Sequence, residues 1–376
     1  MFRDKFVLKN NKVYGNDMLL NGLTYEYGQE GMRNKVALIR KGKTVGFLKS
    51  SSVIGVDYYS DYAEIVTKII CDLVGIKCAD VLLVDIEGLP KTAEQIELEK
   101  KEDEKSMEIF SSLSIEEQLA AERFIERQRT LRNQQKGVLS YNYLNDDKYK
   151  TCQKLNMATL CEKFNQFTEE DVPSSAEGYM NIIKFLHNNT EFCQSLGFNN
   201  IYYDENLKYD FLALSMLSFF TGQLDMTKYN IDLLISKTAK GYKVELAPLF
   251  DNGESFGLSV ITRKENFSQE DYDYYSEETI KSVMSIYPSR LPIKEETQES
   301  PEDQAKEIAD YISTDPMAMQ IYNQFKSINI DKIVDSLDIG EPNFDIIGFA
   351  IKTFYTTRLQ SVEQYQNSNN EEVSCQ

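Results

Sequence analysis

Asp225-Met226-Thr227-Lys228-Tyr229-Asn230 sets a carboxylate and a carboxamide five residues apart, and Leu246-Ala247-Pro248-Leu249-Phe250-Asp251-Asn252-Gly253 adds a second carboxylate twenty-one residues beyond the amide. The flanks give these residues a context. Tyr209 to Gln223 reads as an apolar helix (Phe211, Leu212, Leu214, Met216, Leu217, Phe219, Phe220) that is buried almost all round. Ile231 to Ser236 and Tyr242 to Ala247 read as two short strands joined by a turn through Lys240-Gly241. The predicted order is therefore buried helix, polar loop, β-hairpin, Asp-x-Gly.

That order suits phosphoryl transfer. The reaction needs one carboxylate to orient or deprotonate the attacking hydroxyl, and two further oxygen ligands to hold Mg²⁺ on a triphosphate. Asp225 fits the first role, and Asn230 and Asp251 fit the other two. Mg²⁺ is a hard ion that keeps several waters, so an amide oxygen, a carboxylate and phosphate oxygens suffice. Element order and spacing match the large lobe of a protein-kinase-like fold. The competing reading is a surface turn whose Asp and Asn bond only local backbone.

The amino-terminal part can be read independently for the other parts of such a site. Tyr27 to Lys35 is a loop in which Gly28 and Gly31 would let backbone N–H groups approach phosphate oxygens. Val36 to Ile39 and Thr44 to Lys49 form strands around the turn Lys41-Gly42-Lys43. Lys49 ends the second strand on the side of Val45 and Phe47 and is the best phosphate lysine. Lys35, beside the loop, is the second choice. Tyr62 to Gly75 has a helical pattern with Ile65, Ile69 and Leu73 on its apolar face, and Glu64 in its first turn is placed to pair with Lys49. An exposed glutamate complementing the helix dipole is the alternative for Glu64.

With these residues in place, the chain resembles the HipA-like bacterial kinases. Gly28 to Lys35 echoes the family's phosphate loop, Leu73-Val74-Gly75-Ile76 its helix end, and Leu246 to Asp251 its Leu-Ala-Pro-Leu-x-Asp segment. The resemblance implies an α+β, two-lobed protein-kinase-like fold, with a small β-rich N-lobe carrying a helical insertion and a larger, mainly helical C-lobe. It implies an ATP- and Mg²⁺-dependent serine/threonine kinase, a toxin or signalling effector in bacteria, with an antitoxin or regulatory partner. Carried over by position, Asp225 is the catalytic aspartate, Asn230 and Asp251 the metal ligands, and Lys49 the phosphate lysine. The family's histidine two residues after the catalytic aspartate is Thr227 here, and Met226 replaces a basic or small neighbour. A pseudokinase or interaction module, or a small-molecule phosphotransferase, are the alternatives on the same fold.

Domain limits follow. The N-lobe is expected over 1–145, with the charged helical insertion at 91–136, and the C-lobe over 146–366. The polar tail 367–376 is expected to be disordered. Val138 to Leu144 is expected as an extended hinge.

Composition excludes several rivals. A formal charge of −19 argues against nucleic-acid or anionic-membrane partners, which bind through Lys and Arg clusters. With Glu265 to Glu299 rich in Glu, Asp and Tyr, a protein substrate with a basic surface is the better fit, the alternative for these acids being a solvated flexible loop. The single histidine, His187, removes His-rich metal sites. Six cysteines without disulfide-like spacing point to reduced thiols. The start Met1-Phe2-Arg3-Asp4-Lys5 has no apolar signal region and no run approaches the ~20 residues of a membrane span, so a cytoplasmic location is expected.

Overall fold

The computed structural model describes residues 8–9, 12–14, 23–27, 34–50, 60–87, 100–101, 135–253, 255–258, 289–294, 300–337 and 344–374. Contacts divide the chain into two units, Met1–Ile54 with Leu82–Tyr141, and Gly55–Val81 with Asn142–Gln376.

The first unit is a sheet, seven-stranded among the described residues. Its strands are β1 (Leu8–Lys9), β2 (Lys12–Tyr14), β3 (Leu23–Tyr27), β4 (Asn34–Arg40), β5 (Lys43–Ser50), β6 (Val81–Glu87) and β7 (Gln135–Tyr141), in the order β1-β2-β6-β7-β5-β4-β3. Lys41 and Gly42, both at positive φ, close the β4–β5 hairpin, a backbone whose twist matches that of the flanking strands. Leu38, Leu48 and Leu139 share one buried face by register, Val138 is buried on the opposite face beside Lys49, and Val84 is buried on β6. Strand β7 ends at Tyr141, and Asn142 caps a short 3-10 turn, Tyr143–Asn145, in place of a strand continuing to Leu144. The segment read as the helical insertion lies outside the described residues except for 100–101 and 135–136.

The second unit is built on helices α1 (Ser60–Val74), α2 (Met157–Thr168), α3 (Ala176–Asn188), α4 (Thr190–Ser195), α5 (Glu205–Thr221), α6 (Pro301–Thr314), α7 (Pro316–Lys326), α8 (Ile330–Asp335) and α9 (Phe344–Ser374). Helices α2, α3 and α5 contact a four-stranded sheet of β8 (Gln153–Asn156), β9 (Ile201–Tyr202), β10 (Asp232–Thr238) and β11 (Gly241–Leu246), in the order β8-β10-β11-β9, and α6, α7 and α9 pack on α5. Helix α5 is its axis, apolar on every side and therefore surrounded. Phe220 packs on Tyr322, Phe325 and Tyr355, and the Arg358 guanidinium lies over the rings of Phe219 and Phe354.

Helix α1, grouped by sequence with the first lobe, clusters by contact with the second unit. The physical ties are specific. The Thr67 hydroxyl donates to that of Ser255, Tyr209 donates to the Val74 carbonyl, and Cys78 bridges Leu249 as a single parallel pair. Helix α9 runs to Ser374, through the stretch expected as a disordered tail; between Ser361 and Ser374 there is no glycine or proline to stop it.

Candidate active site

The catalytic-loop residues start where α5 stops. Gly222 takes the left-handed conformation (φ 58°), its N–H donates to the Phe219 carbonyl, and the Gln223 N–H donates to Ser218 O at 3.0 Å. This pair of bonds is a Schellman terminus, which turns the chain sharply off the helix. A Cβ at Gly222 would lie 2.2 Å from the Phe354 ring, so only glycine fits.

The next eight residues are closed by their own polar groups. Thr227 N–H donates to the Asp225 carbonyl at 2.8 Å, and Asn230 N–H donates to the Thr227 carbonyl at 2.9 Å. The Asn230 side chain donates through Nδ2 to the same Asp225 carbonyl at 2.8 Å. A carbonyl can only accept, so this bond fixes which end of the amide is nitrogen and leaves Oδ1 on the other side. Met226 is 1 % exposed and pins the loop from below, while Asp225 is exposed. Position 227 closes the loop with its backbone N–H and carbonyl, so its side chain is not needed for closure.

The far end of the loop is stapled to the start of α2. Ala158 N–H donates to Lys228 O and Met157 N–H to Ile231 O, at 3.0 and 2.9 Å. Asn156 caps α2 with Oδ1, and its Nδ2 donates to Tyr229 O and to the Asp232 carboxylate, each at 2.9 Å. Asp232 is 3 % exposed and also receives Lys154 Nζ (3.1 Å) and the Tyr143 hydroxyl (3.3 Å), as a buried carboxylate must be compensated. Burial, with Asp232 alongside, pushes the Tyr143 phenol above its ordinary value, so it stays a donor. Burial likewise pushes the Cys161 thiol, on α2, up to about 11, which keeps it a neutral core group.

Strands β10 and β11 then return the chain, paired from Leu233↔Leu246 to Thr238↔Gly241, and deliver Asp251. The approach is held on one side by Ala247 N–H to Asp232 O and on the other by Leu249, which exchanges bonds with Lys77 O and Ala79 N–H. Asp251 has φ 60°, and its carbonyl accepts from Gln223 Nε2 at 3.1 Å. The structure thus bonds Asp225 to Asn230 and ties Asp251 to the first residue beyond the α5 terminus.

The remaining predicted residues fall elsewhere. Lys49, on β5 of the first unit, is 6 % exposed although Phe47 on the same side is open, so that face is covered at its end. In register, Lys35 on β4 stands opposite Lys49. Glu64, on α1 of the second unit, is 1 % exposed. Gly28 and Gly31 lie outside the described residues. Among the described residues no group of three or more His, Cys, Asp and Glu forms a metal cluster. A Mg²⁺ site of one carboxylate, one amide oxygen, phosphates and water does not require one, and the oriented Asn230 amide fits it. Sequence reasoning missed Gln223 and Asn156 as parts of the site. The signal for Gln223 was its place just after the helix-ending Gly222; Asn156 offered none, since its loop partners are more than seventy residues away.

No family model matches the chain, and no curated protein matches it in sequence. Among solved structures it is similar to CtkA, a proinflammatory kinase of Helicobacter pylori, at 12 % identity and a TM-score of 0.53, with 93 % of this chain and 96 % of that one covered. It is also similar to HipA of Shewanella oneidensis MR-1, from a toxin–antitoxin system solved with HipB and operator DNA, at 11 % identity and a TM-score of 0.44, covering 90 % and 67 %. The CtkA likeness shows the fold: an α+β, HipA-like kinase fold, as the sequence resemblance implies.

Proposed function

We propose that the chain is an ATP- and Mg²⁺-dependent kinase that transfers the γ-phosphoryl group to a serine or threonine hydroxyl of a protein. The observation that supports it most is the bond from the Asn230 amide to the Asp225 carbonyl, which holds an exposed carboxylate and an outward amide oxygen in one rigid loop. Asp225 receives or orients the proton of the attacking hydroxyl. Asn230 Oδ1 and the Asp251 carboxylate hold Mg²⁺, which when bound neutralises charge on the phosphates. Lys49 is the phosphate lysine, with Lys35 as second candidate and Glu64 as the lysine's carboxylate partner. Gly28 and Gly31 form the phosphate loop. The formal charge of −19 favours a substrate with a basic surface. A regulatory partner is part of the proposal, by analogy with the HipA structure, which contains HipB.

Incubation with γ-labelled ATP and a panel of basic proteins tests the reading. Wild type should transfer label and Asp225→Ala should not, while Asp225→Ala still binds ATP. Transfer by neither protein would assign the chain to the interaction modules instead, and equal transfer by both would remove Asp225 from the catalytic role.

A further inference from the structure

Asp251 is held in the left-handed backbone region, which a residue with a Cβ adopts reluctantly and aspartate tolerates better than most. A carboxylate that serves a metal ion must keep its position to within about 0.5 Å. Something must therefore fix this peptide. Downstream, the turn is clamped to α1 and to the segment that follows it: Ser255 donates to the Asn252 carbonyl, Thr67 on α1 donates to Ser255, and Asn252 Nδ2 donates to the Cys78 sulfur beyond the helix. Upstream, the Asp251 carbonyl accepts from the Gln223 amide.

Gln223 is well built for that task. It is 1 % exposed, its N–H and carbonyl are both bonded to Ser218, and its neighbour Gly222 is locked under Phe354. Its side chain therefore grows from the rigid end of α5. The donor half of the amide reaches Asp251 O, while Oε1 is buried and has no hydrogen-bond partner among the described residues. An apolar side chain of equal size would fill this space without stranding an oxygen. What only the amide adds is the donor that Asp251 uses.

We propose that Gln223 is a positioning residue for the metal aspartate, so that one helix terminus sets both the Asp225–Asn230 loop and Asp251. The proposal rests on reading Asp251 as a Mg²⁺ ligand. Loss of the donor should weaken metal binding specifically, because the nucleotide's other contacts and the packing of α5 do not pass through this bond.

Gln223→Met keeps length and approximate volume and removes the donor. The experiment measures the rise in unfolding temperature given by excess ATP as Mg²⁺ is titrated, for wild type and variant, with ligand-free unfolding recorded alongside. The half-saturating Mg²⁺ concentration should increase about 10–100-fold in the variant, as for loss of a residue that orients a ligand. Half-saturating ATP at excess Mg²⁺ should be unchanged. A wild type that responds to Mg²⁺-ATP and a variant with the same Mg²⁺ midpoint would overturn the positioning role and leave the kinase reading standing. A wild type with no response would overturn the kinase reading, and this inference with it. Hydrogen exchange on the wild type decides the matter if the variant does not fold. Mg²⁺-ATP should protect 219–225 and 248–253 together, and protection of 248–253 alone would contradict the tie.

Discussion

At the residue scale, the two ends of the Asn230 amide have separate uses. Nδ2 closes the loop on the Asp225 carbonyl, and Oδ1 is the proposed metal ligand. Asn230→Asp keeps an oxygen for the metal but sets a carboxylate against a carbonyl that needs a donor. Its transfer rate should fall about 10–100-fold while the protein remains folded, measured as label transfer and unfolding temperature. A variant with wild-type rates would mean that the loop closes by its backbone bonds alone. Asp225, Asn230 and Asp251 were singled out in the sequence by type, spacing and flanking elements, and the structure adds the bonds that join Asn230 to Asp225 and Gln223 to Asp251. Gln223 and Asn156 were not, because a buried amide and a solvated one read alike until their partners, 28 and 73 residues away, are folded against them.

At the element scale, α5 was legible from its dense apolar pattern, and so was the hairpin that follows it. Its terminus carries a sharp prediction. Gly222→Ala adds a Cβ both in the left-handed region and against the Phe354 ring, costing about 1–2 kcal/mol for the backbone and about 1–3 kcal/mol for the overpacking. Denaturant unfolding should show a loss in that range; a loss below about 0.5 kcal/mol, the size of an ordinary surface change, would contradict the packing. Helix α7 gives a pH prediction. Asp315 caps it through Met317 and Ala318 N–H groups and pairs with Lys208 at 2.7 Å, and these bonds, the lysine's first, hold its carboxyl below the usual carboxylate value. A carboxyl depressed in the folded state contributes stability above its unfolded value of about 3.9 and loses it as pH falls through the lower folded value. Asp315→Ala should therefore cost about 1 kcal/mol at neutral pH, and the gap from wild type should narrow below about pH 4. A gap independent of pH would contradict the charged cap. The extent of α9 was not legible, because a polar run such as Gln364 to Glu372 has no stop signal and no apolar pattern to distinguish helix from tail.

At the scale of the whole molecule, the order of elements was legible while most long-range pairing was not. The α+β class was implied by the family resemblance, whose most specific part is the stretch holding the loop, hairpin and Asp-x-Gly, and the fold is shared with CtkA at only 12 % identity. The attachment of α1 to the second unit depends on contacts such as Thr67 with Ser255, 188 residues apart, that no local pattern encodes. The proposed activity requires a metal-nucleotide site that depends on Asp251. Its most direct test is thermal unfolding of wild type and Asp251→Asn, each with and without Mg²⁺-ATP at a hundred times the wild-type dissociation constant. Wild type should gain about 2.7 kcal/mol, a rise of several degrees, and Asp251→Asn should lose most of that gain. An equal rise in both proteins, or none in either, would contradict the claim.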